Sequence, residues 1–176
     1  RRRGGDGDLS SEALRRGDHA ALAADITVAS ATDGNHGRSV AWGAEMFGCA
    51  YVIYIHEGVS QGREAAIARF GAEVRRVPGN YDDSVRQAAR DAAANAWDVV
   101  SDTSYEGYDE VPRQVMQWYT VMAAEAAEQL PADTVPSHVF IQGGVGGLAA
   151  AVTAQFCSAG VPHAHASSSS SRRGPT

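Results

Sequence analysis

Apolar positions change period repeatedly along this chain, and the changes mark out alternating strands and helices. Ile26-Thr-Val-Ala29 reads as a short strand. Behind the turn residues Asp33-Gly-Asn35, the residues Val40, Ala41, Ala44 and Phe47 fall on one face of a helix over 36–47. Ala50-Tyr-Val-Ile-Tyr-Ile55 is an almost unbroken apolar run, the pattern of a strand buried on both faces. A helix over 63–70 follows, stopped at Gly71, where a residue free to turn left-handed suits a helix end. The spacing then predicts a strand at 73–77, a helix capped by Asn80 and running to Asn95, and a strand at Trp97–Val100. A polar, aromatic loop over 102–112 leads to an amphipathic helix over 113–129. His138-Val-Phe-Ile-Gln142 predicts a fifth strand, and it meets four glycines in five positions before an alanine-rich helix.

Strands alternating with helices through short connections predict right-handed βαβ units, and so an α/β fold with a parallel sheet and flanking helices. Ligands in such sheets lie at the carboxyl ends of the strands. Three loops that carry chemistry are expected at those ends: Thr32–Gly37, Ser101–Tyr108 and Gly143–Gly147. Glycines in the last loop let backbone N–H groups crowd around a ligand, and the helix behind it adds unpaired donors and a positive dipole end. The loop is therefore read as an anion site, most simply for a phosphate. Residues 1–25 are expected to be flexible or partly folded, 26–130 a small βαβ domain, 131–157 the start of a larger domain, and 158–176 a disordered tail.

Composition narrows the options. At 176 residues, 44% hydrophobic and 20% charged, the chain is globular, and a net charge of −6 disfavours nucleic acid as a partner. No apolar run of membrane-spanning length and no signal-peptide core occurs, which predicts a cytoplasmic protein with no membrane partner. Cys49 and Cys157 lack metal or redox spacing and are expected to be buried thiols. His163 and His165 sit in the tail without a third ligand, so no metal site is assigned. All fifteen cationic side chains are arginine.

Ala31-Thr-Asp-Gly-Asn-His-Gly-Arg38 at the head of a helix resembles the cofactor-ring loop of the fold-type II pyridoxal-phosphate enzymes, the tryptophan synthase β-like family. The aspartate in this loop resembles more narrowly the diaminopropionate ammonia-lyases. Asn80-Tyr-Asp-Asp-Ser-Val85, Asp102-Thr-Ser-Tyr-Glu-Gly-Tyr108 and Gly143-Gly-Val-Gly-Gly147 are similar to later segments of that group, in the same order. The resemblance covers about Ile26 to Cys157. It implies pyridoxal 5'-phosphate as cofactor, an amino acid as small-molecule substrate, and elimination of ammonia from 2,3-diaminopropionate to give pyruvate. It also implies a homodimer for the full-length enzymes.

By the same resemblance, Gly143, Gly144, Val145, Gly146 and Gly147 hold the phosphate and Asn35 bonds the ring's phenolic oxygen. Asp33 accepts a proton from the D-isomer, or is a plain helix cap, or is both. Asp102 grips the substrate's ammonium, or is a loop carboxylate; Thr32 and Tyr81 line the substrate pocket, Tyr81 alternatively as a packed aromatic. His36 is expected to be a structural hydrogen-bonder.

One departure from the family pattern stands out. The family holds its cofactor covalently through a lysine N-terminal to the asparagine loop, and no lysine stands anywhere in this sequence. Arginine stays protonated and does not replace it. The expectation is an incomplete, inactive fragment or decayed copy of the lyase. The alternatives are a non-catalytic remnant or another enzyme of this fold, such as a threonine or serine dehydratase. A nucleotide-binding domain is disfavoured, because the glycine loop comes last in the chain.

Overall fold

The computed structural model describes residues 10–32, 34–131 and 134–158. By internal contacts the chain falls into two compact units, Arg1–Ser101 and Asp102–Thr176.

The first unit is built on a four-stranded parallel sheet. Its strands are β1 (Thr27–Ala31), β2 (Ala50–His56), β3 (Glu73–Val77) and β4 (Asp98–Val99), in the spatial order β3-β2-β1-β4. Register is fixed by pairs such as Ser30 with Ile53, and Tyr54 with Arg75. Three helices serve as crossovers: α3 (Asn35–Phe47), α4 (Gln61–Ala68) and α5 (Tyr81–Asn95). The apolar run of β2 is buried on both faces, as its composition predicts. Val52 and Tyr54 join Ala29, Ala31, Ala88 and Ala92 under α5, while Ile53 and Ile55 join Ala41, Val59 and Ile67 under α3 and α4.

Local signals place the connections. Asn80 and Asp83 exchange bonds in a capping box: the Asn80 side chain accepts from the Asp83 N–H at 3.2 Å, and the Asp83 carboxylate accepts from the Asn80 N–H at 2.8 Å. Those bonds and Arg86 hold the Asp83 carboxyl below its ordinary range. Arg76 donates to the carbonyls of Glu57 and Val59, both at 2.8 Å, and pairs with Glu64 at 2.5 Å, fixing the loop after β2. Gly71 turns left-handed at φ 84° just beyond α4, as expected.

Tyr54 is fully buried, and its hydroxyl donates to Asp91 Oδ2 at 2.5 Å while accepting from Arg75 at 3.0 Å. Burial and the bond to Asp91 push the Tyr54 phenol up to about 12. The Arg75 guanidinium also lies 5.4 Å from the Trp97 ring, so β2, β3, α5 and the residue before β4 are tied by one partly buried polar cluster.

Several expectations are modified. Residues 10–25, expected to be flexible or partly folded, form two short helices, α1 (Ser11–Arg16) and α2 (Ala20–Ala24). Ser10 caps α1 through a 3.2 Å bond from the Ala13 N–H, and Ala13 and Ala23 are buried. The fourth strand is shorter than predicted, because only Asp98 and Val99 pair with β1. Cys157 is exposed and not buried; Cys49 is half-buried, and burial followed by the charge of Asp98 raises its thiol pKa. Residues 1–9 and 159–176, including His163 and His165, lie outside the described residues.

The second unit contains α6 (Glu110–Glu128) and α7 (Gly147–Ser158). They pack through Ala123, Val152 and Phe156, with Ala127, Leu130, Ile141 and Leu148 around them. The predicted strand at 138–142 does not form. Val139 is 45% and Phe140 93% exposed, and among the described residues this unit offers no strand with which their backbone could pair. Among the described residues no helix is long and apolar enough to cross a membrane.

Candidate functional site

In the first unit the carboxyl edge of the sheet carries the asparagine turn. Thr32 directly follows β1 and is 3% exposed. Its hydroxyl oxygen accepts the N–H groups of Gly34 and Gly37, each at 3.0 Å, and so satisfies two donors at the head of α3. Gly37 is required there: a Cβ at that position would run into the Thr32 side chain. The Thr32 hydroxyl is thus committed to holding the turn. Asp33 lies outside the described residues.

Asn35 is the first residue of α3, with an exposed side chain. It opens onto a groove of about 470 Å³ shared with Arg38, Ser39, Trp42, Arg69 and Phe70. His36 donates from Nε2 to the Val100 carbonyl at 3.1 Å, fastening the head of α3 to the end of β4. That is the structural role the sequence suggests. Tyr81 is half-buried as the first residue of α5, following β3 at the same carboxyl edge.

In the second unit Asp102 and the glycine loop come together. Asp102, Thr103, Ser104, Asp109, Pro112, Arg113, Met116, Val145, Gly146, Gly147 and Ala150 line an open cleft of about 680 Å³. Gly143 and Gly144 are exposed in the same loop but outside that lining. Gly146 adopts φ 91°, a left-handed backbone that favours glycine. A Cβ added at Gly143 or Gly144 would meet nothing within 4 Å, so the backbone of the loop is open to a ligand. Helical bonding in α7 starts with the Ala150 N–H donating to the Gly146 carbonyl at 2.9 Å. The N–H groups of Gly147, Leu148 and Ala149 therefore precede the first α-helical bond and point out of the helix end.

Tyr119 and Met116 on α6 back the loop, within about 4.0 Å of where a Gly147 Cβ would stand. Burial, then the nearby Asp102 charge, raises the Tyr119 phenol pKa. The Thr103 hydroxyl bonds Asp102 Oδ1 at 3.4 Å. Bare amides at a helix head, hydroxyls and a cation in one cleft suit a phosphate monoester, and the space admits a ring attached to it. The sequence places Thr103 and Ser104 only within the flagged loop 101–108, and it does not single out Asp109, Arg113 or Met116. The available signal was position: all lie within fourteen residues of Asp102, and the last two sit on the first turns of a helix returning toward the glycine loop.

A parallel sheet clad with helices, an asparagine turn after its first strand and a glycine loop opening a later helix are the features of a fold-type II pyridoxal-phosphate enzyme. The chain belongs to the family described as "Pyridoxal-phosphate dependent enzyme", which it matches over residues 9–166. Pyridoxal phosphate is that family's cofactor.

The chain is 44% identical over 145 residues to the diaminopropionate ammonia-lyase of Escherichia coli strain K12, covering 82% of this chain and 35% of that enzyme. The enzyme of the same name from Salmonella typhimurium strain LT2 is 44% identical over 135 residues, covering 75% of this chain and 33% of its own length. Among solved structures, the selenomethionine holo form of the Escherichia coli lyase matches with a TM-score of 0.78 and 41% identity, over 88% of this chain and 39% of that one. The chain thus spans about a third of the length of these relatives.

Proposed function

We propose that this chain is the central part of a pyridoxal-phosphate-dependent ammonia-lyase that converts 2,3-diaminopropionate to pyruvate and ammonia. The observation that carries the proposal is the cleft in which Asp102 and Val145–Gly147 face one space, since a substrate-binding carboxylate beside a phosphate loop is what such a reaction needs. Similarity to lyases of that name supports the choice of substrate.

When bound, pyridoxal phosphate supplies an electron sink for the charge left as the substrate's α-proton departs. The chain's own residues bind, orient and move protons. The amides of Gly143–Gly147 hold the phosphate, and the Asn35 amide donates to the ring's phenolic oxygen. Thr32 keeps the asparagine turn in shape, so its part in the substrate pocket is through the backbone it holds. Asp33 accepts the α-proton of the D-isomer, Asp102 grips the substrate ammonium, and Tyr81 lines the pocket. The lysine that serves the L-isomer in the family has no counterpart in these residues. The assignment of 26–130 to a small domain and 131–157 to the start of a large one belongs to the same proposal, with α6 tied toward the latter by its packing on α7. A homodimeric, cytoplasmic enzyme goes with this reading.

The test is a graft of residues 26–157 into the Escherichia coli enzyme in place of its matching segment. The hybrid is expected to release ammonia and pyruvate from 2,3-diaminopropionate. Asn35→Ala should weaken its pyridoxal-phosphate affinity about threefold to tenfold, the worth of one hydrogen bond. Asp33→Asn should slow the D-isomer more than the L-isomer. A hybrid that folds and binds the cofactor, yet deaminates only serine or threonine, assigns the segment to a dehydratase instead.

A further inference from the structure

The phosphate cleft of the second unit has a charge problem that the glycine loop alone does not solve. Two carboxylates, Asp102 and Asp109, line the same space as the loop. A phosphate monoester near neutral pH carries close to two negative charges, so at separations of several ångströms it is repelled by both. Backbone amides and a helix dipole supply only about half a positive charge. Among the described residues lining the cleft, one is cationic: Arg113, on the first turn of α6. Its guanidinium makes no hydrogen bond or ion pair among the described residues, although Asp109 stands four residues before it and lines the same cleft. A planar fork of donors left unpaired at the mouth of an anion cleft is suited to a phosphate.

We propose that Arg113 is a second phosphate-binding element, binding the cofactor's phosphate together with the amides of Val145–Gly147. The proposal rests on the reading of this cleft as the cofactor's phosphate site and adds to it the one side-chain charge that neutralises the ligand against Asp102 and Asp109. It also gives the exposed position of Arg113 a purpose, because a free guanidinium is kept mobile enough to fold over a ligand that has entered.

The test uses the chain as it stands, with pyridoxal phosphate and pyridoxal as probes and binding read by quenching of tryptophan fluorescence. No lysine is present to form side-chain adducts, and with the terminal amine acetylated the titration reports noncovalent binding. Wild-type chain should bind pyridoxal phosphate more tightly than pyridoxal. Arg113→Ala should lose about tenfold or more in affinity for pyridoxal phosphate, as for one charge-assisted hydrogen bond, and nothing for pyridoxal. Arg113→Lys should fall between the two.

An Arg113→Ala variant that melts earlier but keeps the wild-type preference for the phosphorylated probe would make Arg113 a mere helix partner of Asp109 and overturn the proposal. Unchanged affinity in Arg113→Ala, alongside a loss in Gly146→Val, would overturn it while leaving the phosphate loop standing. If wild-type chain shows no preference for the phosphorylated probe, the cleft is not the phosphate site, and both readings fall.

Discussion

Gly146→Val is expected to abolish the preference for pyridoxal phosphate over pyridoxal, with a loss on the order of a hundredfold in affinity, the scale of two hydrogen bonds to a charged group. Two effects act together. Gly146 sits at φ 91°, where a β-branched side chain is strained by about 1–3 kcal/mol, so the loop would rearrange to relieve it. The rearrangement would move the amides that stand ahead of the first helical bond of α7, and the valine methyls would occupy the cleft that Gly146 lines. Gly144→Ala is the matched control. It keeps the Gly144 backbone amide and its Cβ meets nothing within 4 Å, so phosphate affinity and fold stability should each change by no more than about 0.5 kcal/mol. Paired titrations of the two variants check this; equal, small effects would show that the conformation of Gly146 does not organise the site.

The second large effect is on the fold of the first unit. Gly37→Ala should destabilise it by about 2–3 kcal/mol, as overpacking in a buried site does. The added methyl would collide with Thr32 Cγ2 and lie 2.8 Å from Thr32 Cβ. Thr32 cannot swing aside cheaply, since its hydroxyl holds the Gly34 and Gly37 amides at 3.0 Å in a site that is 3% exposed. Thr32→Ser keeps the hydroxyl and removes the methyl, so the double variant should recover part of the loss, and the coupling is measurable by urea melts of the four chains. A Gly37→Ala chain as stable as wild type would mean that the turn before α3 is not held by Thr32. Because Asn35 rides on that turn, the same substitution should lower cofactor affinity in the grafted enzyme.

Much of the first unit was legible because local signals and tertiary needs agree. The apolar run 50–55 could only be a strand buried on both faces, and β2 is one. Asn80 and Asp83 carry their own capping chemistry, so α5 begins where the sequence says. Misses arose where the signal is ambiguous or nonlocal. The start of α6 was placed after Pro112, yet the helix begins at Glu110, because proline is tolerated in a first turn where its missing N–H is not needed. Val139 and Phe140 have strand-forming side chains, but a strand exists only in a ladder, and the described residues of the second unit hold no strand to pair with. The segment before Ile26 reads as flexible or partly folded; Ala13 and Ala23 are buried through contacts the sequence does not announce.

The site divides in the same way. Glycine spacing at 143–147 and the Thr-Asp-Gly-Asn-His-Gly turn are readable from residue type alone, because each encodes a backbone geometry. Thr32 is read from the sequence as a pocket residue; that its hydroxyl also clamps its own turn depends on its reaching five residues ahead to Gly37, which residue type does not announce. Arg113 looked like an ordinary helix-surface arginine. What singles it out is that it lines one cleft with Asp102, Asp109 and the glycine loop, a grouping created by folding.

The measurement that bears most directly on the phosphate loop is a two-dimensional NMR titration of the isotope-labelled chain with pyridoxal phosphate. The backbone amides of Gly143, Gly144, Gly146 and Gly147 and the first turn of α7 should shift and saturate together, and pyridoxal without its phosphate should leave them in place. Glycine-loop amides that stay unmoved while the ligand binds elsewhere on the chain would contradict the account.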